Sequence, residues 1–205
     1  MIALVDYGAG NLTSVKKALT TLGARFHVPQ APVECAGVAG LIVPGVGHFS
    51  ATARLDAAWR DAILAEVRRG TPLLGICVGM QWLFEGSDEA PGVPGLGLLD
   101  GRILRLDGDA VERLKVPHVG WNALDFRRPA RILDGLASGV QVYFTHSYAA
   151  PVTPACAAAT THANTFASVV EHDNVFGVQF HPEKSSDAGL RILRNYLTIV
   201  SDRAC

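Results

Sequence analysis

A thiol, an imidazole and a carboxylate stand in this sequence where they could work together. Cys77 lies in Gly75-Ile76-Cys77-Val78-Gly79, where an apolar strand turns into a helix. A nucleophile at such a corner is held in a tight turn, and flanking glycines let neighbouring backbone approach. The first helix N–H groups, such as that of Val78, face an oxyanion forming on the substrate and favour the thiolate. Alternatively, Cys77 is a small buried hydrophobe, as most strand cysteines are. The second segment is Gly177-Val178-Gln179-Phe180-His181-Pro182-Glu183-Lys184. His181 and Glu183 are two positions apart, on one side of an extended chain. The carboxylate can then fix the imidazole tautomer and stabilise its cation. Read singly, His181 could cap a strand end and Glu183 could be a solvated loop residue. With the Cys77 corner they supply the nucleophile, base and orienting group of an activated thiol.

These side chains need a sheet to hold them. Ile2 to Tyr7 is a short apolar run ending in Gly8-Ala9-Gly10, and Asn11 caps a helix carrying Leu12, Val15, Ala18, Leu19 and Leu22. Gly23 stops that helix. Strands are expected in Ala24 to Val28, Gly40 to Val43 and Thr71 to Cys77, with a helix over Arg54 to Arg69 and another from Val78. Strands alternating with helices predict an α/β fold with a mostly parallel central sheet and helices on both faces. Gly86 to Gly97, rich in Gly and Pro, reads as a loop, and short strand-like pieces follow to about Ala130. Val140 to Tyr148, Ala157 to Ala163, Phe166 to His172 and Val175 to Phe180 read as successive strands, adding antiparallel pairing in the C-terminal half. Gly135 to Val170 contains no Asp, Glu, Lys or Arg, which predicts a largely buried sheet. A last helix is expected over Ala188 to Val200. With no repeat or linker, residues 1–205 are expected to form one domain.

Composition narrows the function classes. The 205 residues carry 18 Lys+Arg against 19 Asp+Glu, without the basic excess of a nucleic-acid binder. Half the chain is apolar and only 18% is charged, which argues against disorder. Cys35, Cys77, Cys156 and Cys205 form no C-x-x-C pair, so zinc-knuckle and dithiol redox readings lack support, and a cytoplasmic protein with reduced thiols is expected. No signal peptide or membrane span is apparent. Gly8-Ala9-Gly10 fails as a dinucleotide fingerprint because Thr13 replaces its third glycine. His48, His118 and His146 lack compact metal-ligand spacing and read as hydrogen-bonded structural residues. No cofactor or metal is expected.

With these residues in view, the sequence resembles the class I (triad) glutamine amidotransferases. Gly-Ile-Cys-Val-Gly-Met-Gln at Gly75 to Gln81 and His-Pro-Glu at His181 to Glu183 match the two signature segments in order and spacing. A narrower resemblance, to the glutaminase subunits of imidazole glycerol phosphate synthases, rests on Asp6 to Leu12, Pro44 to Gly47, Val116 to Asn122, Tyr143 to Tyr148 and His181 to Ser185. The resemblance implies a flavodoxin-like fold and L-glutamine as substrate. Cys77 would attack the carboxamide, His181 would move the proton, and Glu183 would orient His181. It places Gly47, Gln81, His146, Ser147 and Tyr148 at the substrate and the Val46 and Val78 N–H groups at the oxyanion. Asn11, Trp121, Tyr143 and Lys184 would face a partner. That partner would be a (β/α)₈ cyclase forming a heterodimer and using the ammonia to make imidazole glycerol phosphate and 5-aminoimidazole-4-carboxamide ribonucleotide, in histidine biosynthesis.

Val46 stands where many relatives have a second glycine after Pro44. Beta-branched valine resists positive φ, so turning the Gly45–Val46 peptide to aim its N–H at the oxyanion costs energy. The hole is therefore expected to be incomplete in the isolated chain, unless Val46 is merely a strand-end core residue. Three alternatives stay open: a glutaminase serving another synthase, a flavodoxin-like cysteine hydrolase, and a silent regulatory partner. Pro-Gly-Val-Gly and Val-Gly-Trp-Asn argue against the first, Gln81 and His-Pro-Glu against the second, and the intact triad against the third.

Overall fold

The computed structural model describes residues 1–9, 12–108 and 115–203. In chain order the elements are β1 (Ile2–Leu4), α1 (Leu12–Thr21), β2 (Phe26–His27), β3 (Gly40–Gly45), α2 (Ala57–Arg68), β4 (Leu73–Cys77), α3 (Val78–Trp82), β5 (Gly86–Ser87) and β6 (Arg102–Arg105). There follow β7 (His118–Ala123), β8 (Asp125–Phe126), β9 (Gln141–His146), β10 (Tyr148–Ala149), β11 (Cys156–His162), β12 (Asn164–His172), β13 (Val175–Val178) and α4 (Ser186–Arg203). The central sheet runs β2-β1-β3-β4-β13-β12-β11-β8. Its first five strands pair in parallel and the rest antiparallel. The chain steps one way from β1 to β2 and the other way from β3 to β4, so right-handed crossovers put α1 and α2 on opposite faces. This is why β1, β3, β4 and β13 are buried at every residue rather than alternately.

Two expectations change in the C-terminal half. Val140 to Tyr148 is not one strand: β9 pairs with β7 in a two-stranded ribbon, whereas β10 pairs with β6 in a separate three-stranded sheet. The uncharged tract thus builds parts of three sheets, and within β9 only Val142, Phe144 and His146 are buried, on one face. The helix expected from Arg54 begins at Ala57, after a 3₁₀ segment over Phe49–Arg54, because Asp56 caps it by accepting from the Trp59 N–H at 3.1 Å. The last helix extends past both expected ends. Gly86 to Gly97 includes the short β5. Asn11 and Cys205 lie outside the described residues, so the helix cap assigned to Asn11 is not described. Among the described residues no helix is long and apolar enough to cross a membrane.

The packing around Cys77 tolerates no side chain at its glycines. A Cβ on Gly79 would stand 1.7 Å from the Val43 carbonyl oxygen, and one on Gly75 would stand 2.6 Å from the Gly79 carbonyl oxygen. Backbone must shift to admit either. Gly79→Ala is expected to lower stability by about 3 kcal/mol or more, as measured by chemical denaturation. An unchanged denaturation midpoint would contradict this packing.

Candidate active site

Strand register brings the reactive residues together. Gly45 is level with Cys77 across β3 and β4, and Ile76 with Val178 across β4 and β13, so Gln179 arrives beside Cys77. Its Nε2 lies 3.7 Å from the Cys77 sulfur. Cys77 itself has φ 54° and ψ −112°, a left-handed conformation on a non-glycine residue, which costs about 1–3 kcal/mol. This is the corner expected from the sequence, with Val78 opening α3 behind it.

Two residues beyond Gln179, His181 is tied down by its backbone. Its N–H donates to the Tyr143 carbonyl at 3.0 Å, and its carbonyl accepts from the Ser185 hydroxyl at 2.7 Å. Its Nδ1 donates to Glu183 Oε1 at 2.9 Å, with both side chains only 2% exposed. Burial pushes His181 toward its neutral form, but Cys77 and Glu183 outweigh it and raise its pKa from 6.5 to about 10. Cys77 acts on the ring both as a hydrogen-bond partner and through charge, although Nε2 does not yet make a hydrogen bond of full geometry.

A cavity of about 370 Å³ opens over Cys77, lined by Val46, Gly47, Cys77, Val78, Gln81, Glu89, Pro117, Thr145, His146, Ser147, Tyr148, His181 and Lys184. It has the volume of a small-ligand pocket. Glu183 stands behind His181 rather than in the lining. Gln81 Nε2 donates to the Tyr148 carbonyl at 2.8 Å and to Gln179 Oε1 at 3.1 Å, leaving its buried Oε1 without a partner. Glu89 was not foreseen. It lies in the segment read only as a loop, and its carboxylate is held by the Phe49 N–H at 2.8 Å. A positively charged group in the substrate is the signal that would have prompted a search for it. Gln179 lies in the His181 segment, where nothing in its local sequence points to a role.

The Val46 N–H does not point into this cavity. It donates to the Ala9 carbonyl at 3.2 Å. Gly47 has φ +86°, and Tyr7 carries its buried hydroxyl beside Gly45 with no partner.

The expected partner-facing residues other than Asn11 gather on the β7–β9 ribbon and beside it. Trp121 is 53% exposed and pairs across the ribbon with Tyr143, ring centroids 6.2 Å apart. Lys184 Nζ stands 6.0 Å from the Tyr143 ring. Val119 is also exposed, which makes this an apolar patch with a cation at its edge.

The histidines divide. His48 Nδ1 accepts from the Ser50 N–H at 3.1 Å, a local cap. His118 and His146 are not solitary: His118 stacks on His162 at 4.1 Å, and its Nδ1 is 3.0 Å from His146 Nε2. Burial, with the neighbouring histidines, lowers His118 from 6.5 to about 3. Burial chiefly lowers His146 to about 4, against the opposing effect of its bond to Tyr148.

These shifts set a pH profile for stability. Below pH 6.5 the unfolded chain takes up protons that folded His118 and His146 refuse, so stability falls toward pH 4 at about 1.4 kcal/mol per unit for each histidine. His181 has the opposite sign: its contribution is complete below pH 6.5 and is lost as pH rises through about 10. Denaturation midpoints are expected to peak near pH 6.5. A flat profile from pH 5 to 9 would contradict the assigned burial.

A thiol at a strand-to-helix corner, with an imidazole–carboxylate pair just beyond the end of the adjacent parallel strand β13, is an arrangement suited to cysteine-dependent hydrolysis on an α/β sheet. A class-I glutamine amidotransferase family model matches residues 3–200. The imidazole glycerol phosphate synthase subunit HisH of Geobacillus thermodenitrificans is 47% identical, covering 99% of this chain and 98% of its own. The HisH of Syntrophotalea carbinolica is 45% identical over 96% and 98%. A solved structure titled "Crystal structure of glutamine amidotransferase" superposes with a TM-score of 0.74 at 22% identity, covering 98% of this chain and 100% of that one, which bears on the fold alone. The chain belongs to the class-I glutamine amidotransferases and, within them, to the HisH family of glutaminase subunits.

Proposed function

We propose that this chain hydrolyses L-glutamine through Cys77, His181 and Glu183 and passes the ammonia to a cyclase subunit with a (β/α)₈ barrel. The observation that carries the reading is the buried His181–Glu183 pair at 2.9 Å beside Cys77, at the floor of a cavity sized for one amino acid. Glutamine's carboxamide lies over Cys77, and its ammonium is met by the Glu89 carboxylate, which lines the same cavity. The thiol's proton resides on His181, whose raised pKa favours the imidazolium, as sulfur attacks the carboxamide carbon. The Val78 N–H and a turned Val46 N–H steady the oxyanion. Collapse breaks the C–N bond as His181 protonates departing ammonia, leaving a glutamyl thioester. Water, deprotonated by His181, then releases glutamate and restores the thiol.

The Trp121–Tyr143 patch supports a docking role, since aromatic residues often anchor interfaces. The Tyr143 carbonyl also accepts from the His181 N–H at 3.0 Å, so one backbone hydrogen bond ties the patch to the base. Glutamate release by the chain mixed with its cyclase and that enzyme's nucleotide ligand tests the reading. Release followed by imidazole glycerol phosphate formation supports it. Glutamate release that feeds another synthase, or none, overturns the assignment.

A further inference from the structure

The three-histidine cluster has a polarity that its surroundings determine completely. At one end, Asn122 is pinned: its Oδ1 accepts from the Ala123 N–H at 2.8 Å, and its Nδ2 donates to the Thr161 carbonyl at 3.1 Å. The same Nδ2 faces His118 Nε2 at 3.3 Å, so that ring nitrogen presents a lone pair. At the other end, His146 Nδ1 lies 2.9 Å from the Tyr148 carbonyl, which can only accept, so Nδ1 carries the proton. Between them, His118 Nδ1 and His146 Nε2 are 3.0 Å apart. A His118 with its lone pair on Nε2 must donate from Nδ1, and His146 must then accept on Nε2. Both rings are therefore neutral and both carry the proton on Nδ1, in one directed chain from Asn122 through His118 and His146 to Tyr148.

The chain ends on an atom of the pocket. The Tyr148 carbonyl is shared between His146 and Gln81, and Gln81 reaches on through Gln179 to the Cys77 sulfur. His118 itself does not line the cavity and is 3% exposed. Its ring lies between Phe144, at 4.8 Å, and His162, at 4.1 Å, both nearly parallel to it, so only its edge is free to choose partners.

We infer that His118 is a positioning residue for glutamine binding: by donating to His146 it holds the Tyr148 carbonyl, and with it Gln81, in the geometry that receives the substrate. Its low basicity agrees, because a protonated His118 would lose the lone pair that Asn122 requires. Without the His118 donor, a buried His146 nitrogen is left unpaired, and the ring is free to turn away from Tyr148. The inference rests on the glutaminase reading above.

Two measurements test it. In the complex with the cyclase, His118→Phe keeps the stacked ring and removes both nitrogens. It is expected to raise KM for glutamine about tenfold, with kcat within about threefold of wild type. His118→Asn, whose Nδ2 stands in for the lost Nδ1–H, is expected to restore most of the KM. Unchanged KM in His118→Phe, with or without a loss of thermal stability, overturns the inference and leaves His118 a packing residue. A rise in KM that His118→Asn does not relieve overturns it as well. Independently, nitrogen NMR of the wild-type full chain at pH 7 is expected to show neutral Nδ1–H tautomers for His118 and His146, and any other state for either ring overturns the chain. A wild-type complex inactive toward glutamine would strike the glutaminase reading itself, an outcome distinct from an active complex with unaltered KM.

Discussion

Cys77→Ala is expected to abolish glutamate release, by about 10⁴-fold or more, in the complex with the cyclase. In the proposed reaction the substitution removes the atom that bonds to the substrate, and neither His181 nor Glu183 can replace it. The folded state should suffer little. Cys77 is 3% exposed, and its sulfur has a long contact from Gln179 at 3.7 Å beside the His181 imidazole. The left-handed backbone at this corner is as demanding for alanine as for cysteine. His181 should also change. Cys77 is a principal cause of its raised pKa, so an imidazole without the thiol loses part of that support and titrates lower. Glutamate release by the stimulated complex, together with an NMR titration of His181, checks both effects. Substantial residual release would exclude the thioester route, and an unmoved His181 titration would mean that the thiol and imidazole are not coupled.

The second large effect concerns the oxyanion hole. The free chain is expected to release glutamate about 10²–10³-fold more slowly than the complex supplied with cyclase and nucleotide ligand, the usual cost of one missing oxyanion donor. The Val46 N–H is committed to the Ala9 carbonyl, so the peptide must break that bond and turn before it can serve. The turn carries Val46 toward positive φ, at a cost of about 1–3 kcal/mol for a β-branched residue. Gly45 itself admits no side chain, since a Cβ there would stand 2.1 Å from the Tyr7 hydroxyl. Val46→Gly removes the φ penalty and is expected to raise the basal rate of the free chain. Equal rates with and without the cyclase, or a Val46→Gly chain no faster than wild type, would show that the Val46 peptide does not limit catalysis.

Much of the site could be read from the sequence because its critical relations are short. The Gly75-to-Gly79 corner and the His181-to-Glu183 spacing are local, and backbone geometry alone dictates where their side chains go. The parallel sheet was legible for a similar reason: strands covered on both faces need unbroken apolar runs, and Gly40 to Val43 and Thr71 to Cys77 are such runs. The C-terminal half was harder. An uncharged tract records that residues are buried but not against what, so the break at Ser147, which sends β9 to β7 and β10 to β6, left no mark in composition. Glu89 escaped for the opposite reason, since a loop carboxylate looks the same whether it faces water or a substrate.

By itself, then, the sequence picked out Cys77 as a candidate nucleophile, His181 and Glu183 as a candidate base and orienting carboxylate, and the alternating strands and helices that hold them. Each depends on residues within one turn or one strand of each other, where covalent geometry does the positioning. Only the tertiary structure decided that Gln179 stands beside the thiol, that the Val46 N–H is held by Ala9, and that His118 and His146 form one polarised chain. Those relations join segments distant in sequence. A hydrogen bond between such segments depends on strand register and on which partner reaches a donor first, and neither is encoded at any single position.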